Sequence, residues 1–257
     1  MDLPACVDAL NRMIRPQSFP LGMKIYKDAG HLPEKAVRPA KYGIRISLCQ
    51  WTTTARRWGH VLGAVAEDVN CSPCLAALGL RRLEDPGALA AYFMEMGFFE
   101  NPELAARAVG ELDPIPFGEI GAVAVFPLDK APVAPDVVVI YGTPAQMSRL
   151  AAGWVYHHGE TIRYKTNGFG ISCMSALKPH FSGKPAFVHP GRGERILAGT
   201  DDAEMFLTLP AGDLEALVDG LEKTHAKGTR YPMQSYLLYE PPLLKPMQKL
   251  AGYLKEE

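Results

Sequence analysis

Cys71-Ser72-Pro73-Cys74 sets two thiols with two residues between them, and two more, Cys49 and Cys173, stand in polar or glycine-rich sequence where a merely packed thiol is not expected. Cysteines in such settings serve soft-metal or iron-sulfur ligation, dithiol redox chemistry or nucleophilic attack. Ser72 ahead of Pro73 is a helix-start signature, so Cys71 and Cys74 should bracket the first turn of a helix, with Ser172 setting Cys173 in the same place on another. Unpaired N–H groups at a helix start favour thiolate and draw a cysteine pKa below its ordinary value of about 8.5.

A single CxxC serves redox dithiols, zinc sites and clusters alike. Structural zinc takes a closed set of four ligands, commonly as two local pairs, and one pair with two isolated cysteines makes it the less expected cofactor. Widely spread ligands suit a [4Fe–4S] cubane held by three or four thiolates, and three would leave one iron open to substrate. The expected metal set is Cys49, Cys71 and Cys173, with Cys74 as a further cofactor-binding candidate. A thioredoxin-like dithiol is a competitor whose usual early-strand context is missing. Ordinary burial of some or all of these thiols is the plain alternative, and it is the reading for Cys6, which shares an apolar helix face with Leu10 and Met13.

Substrate-binding candidates lie elsewhere. Arg56 and Arg57, beside Trp51 and Trp58, could hold an anionic or aromatic ligand, against the plainer reading of an exposed helix face with snorkelling arginines. The segment HPGRGERILAG carries Arg192 and Arg195 among glycines that would let backbone approach an anion. It lacks the following helix that phosphate loops need, so a turn in which Arg195 pairs with Glu204 is the alternative. His157-His158 should close a helix, where a cation is favoured. No GxGxxG, GxxxxGK[ST], GxSxG, HExxH or HRD pattern occurs, which leaves nucleotide-loop and hydrolase readings without support.

The elements that must position these groups follow from pattern and punctuation. Helices are expected at 3–15, after Cys49, at about 86–96 and 102–110 behind Asp85-Pro86 and Asn101-Pro102, from Thr143 to about Tyr156, at 212–224, and in the tail LLKPMQKLAGYLKEE. Strands are expected at Leu21–Tyr26, Tyr42–Leu48, His60–Ala66, Ala122–Phe126, Val137–Tyr141, near Thr161–Lys165, near Ala186–His189 and at Glu204–Leu209. A glycine-rich turn should lead into Cys173. MKIY resembles VVIY, and SPCLAALGL resembles SCMSALKP, a weak repeat that would pair Cys74 with Cys173 across a cleft. The expected fold is α/β (mixed α+β), one domain over 1–257 of two similar α/β units at about 1–115 and 116–257, with mixed sheets flanked by helices.

Composition bounds the partners. The 257 residues are 47% hydrophobic and 21% charged, ordinary for a globular chain, and 27 basic against 28 acidic residues give a net charge of −1. No global field recruits nucleic acid or an anionic bilayer, so a small-molecule ligand or substrate is expected, and oligomeric state stays open. The opening MDLPACVDALNRMIRP has no apolar run fit for a signal peptide or membrane span, which points to the cytoplasm. There five cysteines are not expected to pair as disulfides.

MKIY, Cys49, CxxxxxxLGL at 71–80, PDVVVIYGTPAQMSRL ending at Leu150, and GRGERxxAxxxDAEMxLxLPxxxLExLVxGL at 191–221 together resemble the uncharacterised family called domain of unknown function 169. The likeness spans nearly the whole chain. It implies a single α/β domain met mainly in anaerobic, metal-rich prokaryotic metabolism, with cysteines recurring at positions like Cys49, Cys71 and Cys173. Cys74 departs from that pattern, where a small residue is usual, which favours a three-thiolate cluster over closed zinc. The name of the family assigns no activity. The remaining readings are a non-catalytic ligand-binding module with packed cysteines, or a thiol enzyme using Cys71 and Cys74.

Overall fold

The computed structural model describes residues 1–164, 168, 172–233 and 243–254. In chain order the elements are α1 (Leu3–Met13), β1 (Leu21–Tyr26), α2 (Leu48–Trp58), β2 (Leu62–Val65), α3 (Ser72–Ala77), α4 (Ala88–Glu95), α5 (Pro102–Leu112), β3 (Ala122–Pro127), β4 (Val137–Gly142), α6 (Pro144–His158), β5 (Arg163–Tyr164), α7 (Ser172–Ser182), β6 (Ala186–Val188), α8 (Arg192–Ala198), β7 (Met205–Pro210), α9 (Leu214–Ala226) and α10 (Lys245–Ala251). The class is mixed α/β, and the strands join one seven-stranded sheet in the order β2-β3-β1-β4-β7-β6-β5. Every neighbouring pair is antiparallel except β5 with β6.

Helices cover both faces. Val137, Val139 and Tyr141 of β4 join Val123 and Val125 of β3 in a core with Leu48 and Trp51 of α2 and with Met174 and Leu177 of α7. The alternate residues Val138 and Ile140 face the opposite way, into a second core with Leu10 of α1, Leu150 and Trp154 of α6, and Leu217 and Leu221 of α9. The strict alternation is what a central strand buried on both faces requires. On that second face α6 meets α9 at Gly153 and Gly220, where a Cβ on Gly220 would collide with the Gly153 carbonyl.

Strand registers reveal an internal twofold. β1 pairs with β3 over six residues from Leu21↔Pro127 to Tyr26↔Ala122, and β4 pairs with β7 over six from Val137↔Pro210 to Gly142↔Met205. β2 then flanks β3 through Leu62↔Val125 as β6 flanks β7 through Ala186↔Thr208. Between the two sets β1 meets β4 symmetrically, Leu21↔Val139 and Met23↔Val137 about the central pair Gly22↔Val138. Backbone bonds repeat too: Leu128 N–H donates to Pro20 O at 2.8 Å, and Ala211 N–H donates to Asp136 O at 2.9 Å. The repeats run through Leu21–Pro127 and Val137–Pro210, so a boundary at 115/116 falls inside the first of them, ahead of β3.

Two expectations differ from the structure. Tyr42–Leu48 forms no strand; only Ile46 bridges, to Val69, because Ser47 and Gln50 close a capping box that turns Leu48 into the first residue of α2. Within HPGRGERILAG the chain forms α8, with Gly191 as N-cap and left-handed Gly199 as terminator, where a turn was expected. The strand expected to reach Lys165 and the turn before Ser172 extend outside the described residues. Among the described residues no helix is long and apolar enough to cross a membrane.

Candidate functional site: a four-cysteine pocket on the internal twofold

Helices α2, α3, α7 and α8 bring their first turns together on the α2/α7 face of the sheet. The loop ahead of α2 and the loop ahead of α3 are tied by Ile46 N–H donating to Asp68 O at 3.1 Å and by Asn70 Nδ2 donating to Arg45 O at 2.9 Å. Asp68 is fully buried and takes Arg38 Nε at 2.9 Å and Val65 N–H at 3.0 Å, which fixes the approach to Cys71. α7 is pinned to β7 by Thr208 Oγ1 donating to Ala176 O at 2.7 Å.

The result is a small pocket of about 60 Å³ whose lining includes Cys49, Cys71, Cys74, Cys173, Ser47 and Glu194. All four sequence-singled cysteines of the candidate site thus meet in one place, from three helices. Cys71 is the N-cap of α3 and Cys74 its third residue, so the two bracket the first turn as expected. Cys173 is the second residue of α7, Cys49 the second of α2. All the cysteines are free thiols, and Cys6 is buried in the opposite core.

The twofold relates these positions differently from the sequence repeat. Cys49 lies as many residues ahead of left-handed Gly59 as Cys173 lies ahead of left-handed Gly183, and each glycine lies as far ahead of its flanking strand. Cys49 is therefore the counterpart of Cys173. Glu194 is the third residue of α8, the helix that follows β6, as Cys74 is the third residue of α3, the α-helix that follows β2. Glu194 was not singled out from sequence, because the glycines around it read as a turn.

The electrostatics set the thiols apart. Cys49 is pushed up to about 12, mainly by burial, although the Ser47 hydroxyl, 2.9 Å from its sulfur, pulls the other way. Cys71 is brought down to about 7, first by the Cys74 thiol, with burial opposing. Cys74 lies beside both Cys173 and Cys71 and is held well above its ordinary value by those two contacts and then by burial, so it stays a protonated donor between them. Tyr141 is held protonated by burial and then by the Glu194 carboxylate, to which its hydroxyl donates at 2.8 Å. Thr200 donates to the same oxygen of Glu194 at 3.2 Å.

The candidate substrate residues lie outside this pocket. Trp51 is fully buried on the core-facing side of α2. Arg56 is 1% exposed and makes a bidentate pair with Glu204 at 2.6 and 2.9 Å while stacking 4.1 Å over Tyr141, so the exposed snorkelling face does not form at this position. For Glu204 burial raises the carboxyl, and the Arg56 hydrogen bonds with the Asp201 N–H outweigh it and leave it below its ordinary value. Arg57 donates to Gly199 O at 2.8 Å, and it lines with Arg56, Asp129 and Asp201 a separate, open polar cavity. Arg192 is exposed at the start of α8, and Arg195 bonds the backbone oxygens of Asp201 and Glu204, not the Glu204 carboxylate. His158 closes α6 against Trp154 O, and His157 pairs with Asp219 at 2.7 Å.

Among the described residues no three or more His, Cys, Asp or Glu side chains are arranged to hold a single metal ion. A lone zinc ion needs its donors gathered about one point at roughly 2.0–2.3 Å. Cubane ligands are spread over four irons. The donors here, soft thiols from separate helices around a shared pocket, suit the second kind of group by chemistry and placement.

In comparison with known proteins, the model of the family described as uncharacterised ArCR, domain of unknown function 169, matches residues 9–220. No curated protein and no solved structure matches the chain.

Proposed function

The chain belongs to the family of domain of unknown function 169, and we propose that its four-cysteine pocket holds a [4Fe–4S] cluster through Cys49, Cys71 and Cys173 and acts on a small molecule by redox or sulfur chemistry. The observation that carries this is the meeting of thiols from α2, α3 and α7 in one pocket, despite their separation along the chain. Burial that raises Cys49 leaves a thiol poorly suited to standing charged alone, whereas metal binding displaces the proton and supplies the countercharge. Cys74 lies beside Cys71 and Cys173 with one S–H to donate, and hydrogen bonds to cluster sulfurs are among the factors that set reduction potential. The reducing cytoplasm would keep the thiols available, and the near-neutral chain suits a small partner over nucleic acid or membrane. Protein purified without air should carry iron and acid-labile sulfide and absorb broadly in the visible. Absence of both after anaerobic reconstitution overturns the proposal.

One observation favours a second reading. Cys71, brought down to about 7 by Cys74, is the pattern of a thiol nucleophile with a resolving partner. Metal-free protein that alkylates selectively at Cys71 near neutral pH, and never takes up iron, would support this thiol enzyme.

A further inference from the structure

We infer that Glu194 is an oxygen ligand in the cysteine pocket, holding the iron that the three cysteine thiolates leave unclaimed. The inference rests on the cluster reading above. Three independent features place it. Glu194 lines the pocket together with all four cysteines. It is 4% exposed, with no cation paired to it among the described ion pairs. It is the third residue of α8, in the helix turn that faces the pocket, as Cys74 is the third residue of α3.

A buried carboxylate without a cation is costly unless it is paired or coordinates a metal. Tyr141 and Thr200 both donate to Oε1, and two neutral donors orient the group without cancelling its charge. Among the described residues both donors go to Oε1, which leaves Oε2 as the atom offered to a ligand. Positive iron supplies the missing countercharge. Because carboxylate oxygen is a harder donor than thiolate, Glu194 would hold its iron less firmly than the cysteines hold theirs.

A thiol at the same position supplies the control. Glu194 lines the pocket with the cysteines, so a thiol introduced by Glu194→Cys should reach the same iron. Glu194→Gln keeps an oxygen to accept from Tyr141 and Thr200 while removing the charge, and a circular-dichroism melt checks that each variant is folded.

The experiment is anaerobic reconstitution of wild type, Glu194→Gln, Glu194→Cys and Cys49→Ser, with iron counted and electron paramagnetic resonance recorded before and after mild oxidation. Wild type should retain its iron longest among the oxygen-ligated forms. Glu194→Gln should lose one iron several-fold faster and give a three-iron signal, and Glu194→Cys should resist that loss at least as well as wild type. Wild type and Glu194→Gln releasing iron at the same rate with identical spectra overturns the role of Glu194 while leaving the cluster intact. Failure of wild type to bind iron at all is the different result that removes the cluster reading, and this inference with it.

Discussion

Single side chains decide how the pocket behaves before any cofactor enters it. In metal-free protein the Cys74 S–H stabilises the Cys71 thiolate, so the folded-state pKa lies near 7, below the ordinary value. Iodoacetamide labelling of Cys71 should therefore rise through pH 7, and Cys74→Ala should move that rise upward by a pH unit or more, toward the ordinary cysteine value of about 8.5. An unchanged profile would mean that Cys74 does not act on Cys71. Arg56 and Glu204 make a different kind of site: breaking a buried pair leaves one uncompensated charge, and Arg56→Ala should cost about 3–5 kcal/mol in denaturant unfolding. Cysteine type and context made the four thiols legible in sequence. The partner of Arg56 was not legible, because Glu204 lies far along the chain and the local pattern WTTTARRWG reads as a solvated helix.

Elements then carry those side chains to their places. Ser47 caps α2 and also sits 2.9 Å from Cys49, so Ser47→Ala should lower stability by about 1 kcal/mol, read as a shift in the urea midpoint. The contact of α6 with α9 depends on two glycines, and Gly220→Ala should destabilise by about 1–3 kcal/mol through backbone collision. Gly110→Ala in exposed α5, where an added Cβ meets nothing, should be neutral or stabilising by up to about 1 kcal/mol in the same urea unfolding. Proline and capping signals placed α5 and α6 well. The S-x-x-Q box at Ser47 and Gln50 was present in sequence too, but the alternation of Tyr42–Leu48 competed with it. Strand period loses to a satisfied helix cap when the segment has no neighbouring strand to pair with. In α8 the glycines masked a helix that Gly191 begins and Gly199 ends.

Over the whole molecule, two repeats, β1 to β3 and β4 to β7, share one sheet, and helices of both enclose the cysteines. A family resemblance and a weak internal likeness were visible in the residues. The symmetry itself was not, because strand register with the spacing to Gly59 and Gly183 relates Cys49 to Cys173, while residue similarity aligned Cys74 with Cys173. Chain separation says nothing about distance once a crossover returns each helix to the same face. The central claim is that these sulfurs act together on iron. The most direct measurement is the iron and acid-labile sulfide content of anaerobically reconstituted protein, compared among wild type, Cys49→Ser and Cys173→Ser. The account predicts about four of each per wild-type chain and sharp loss in both variants, equivalent as their positions are. Wild type carrying neither, or both variants binding as wild type does, would contradict it.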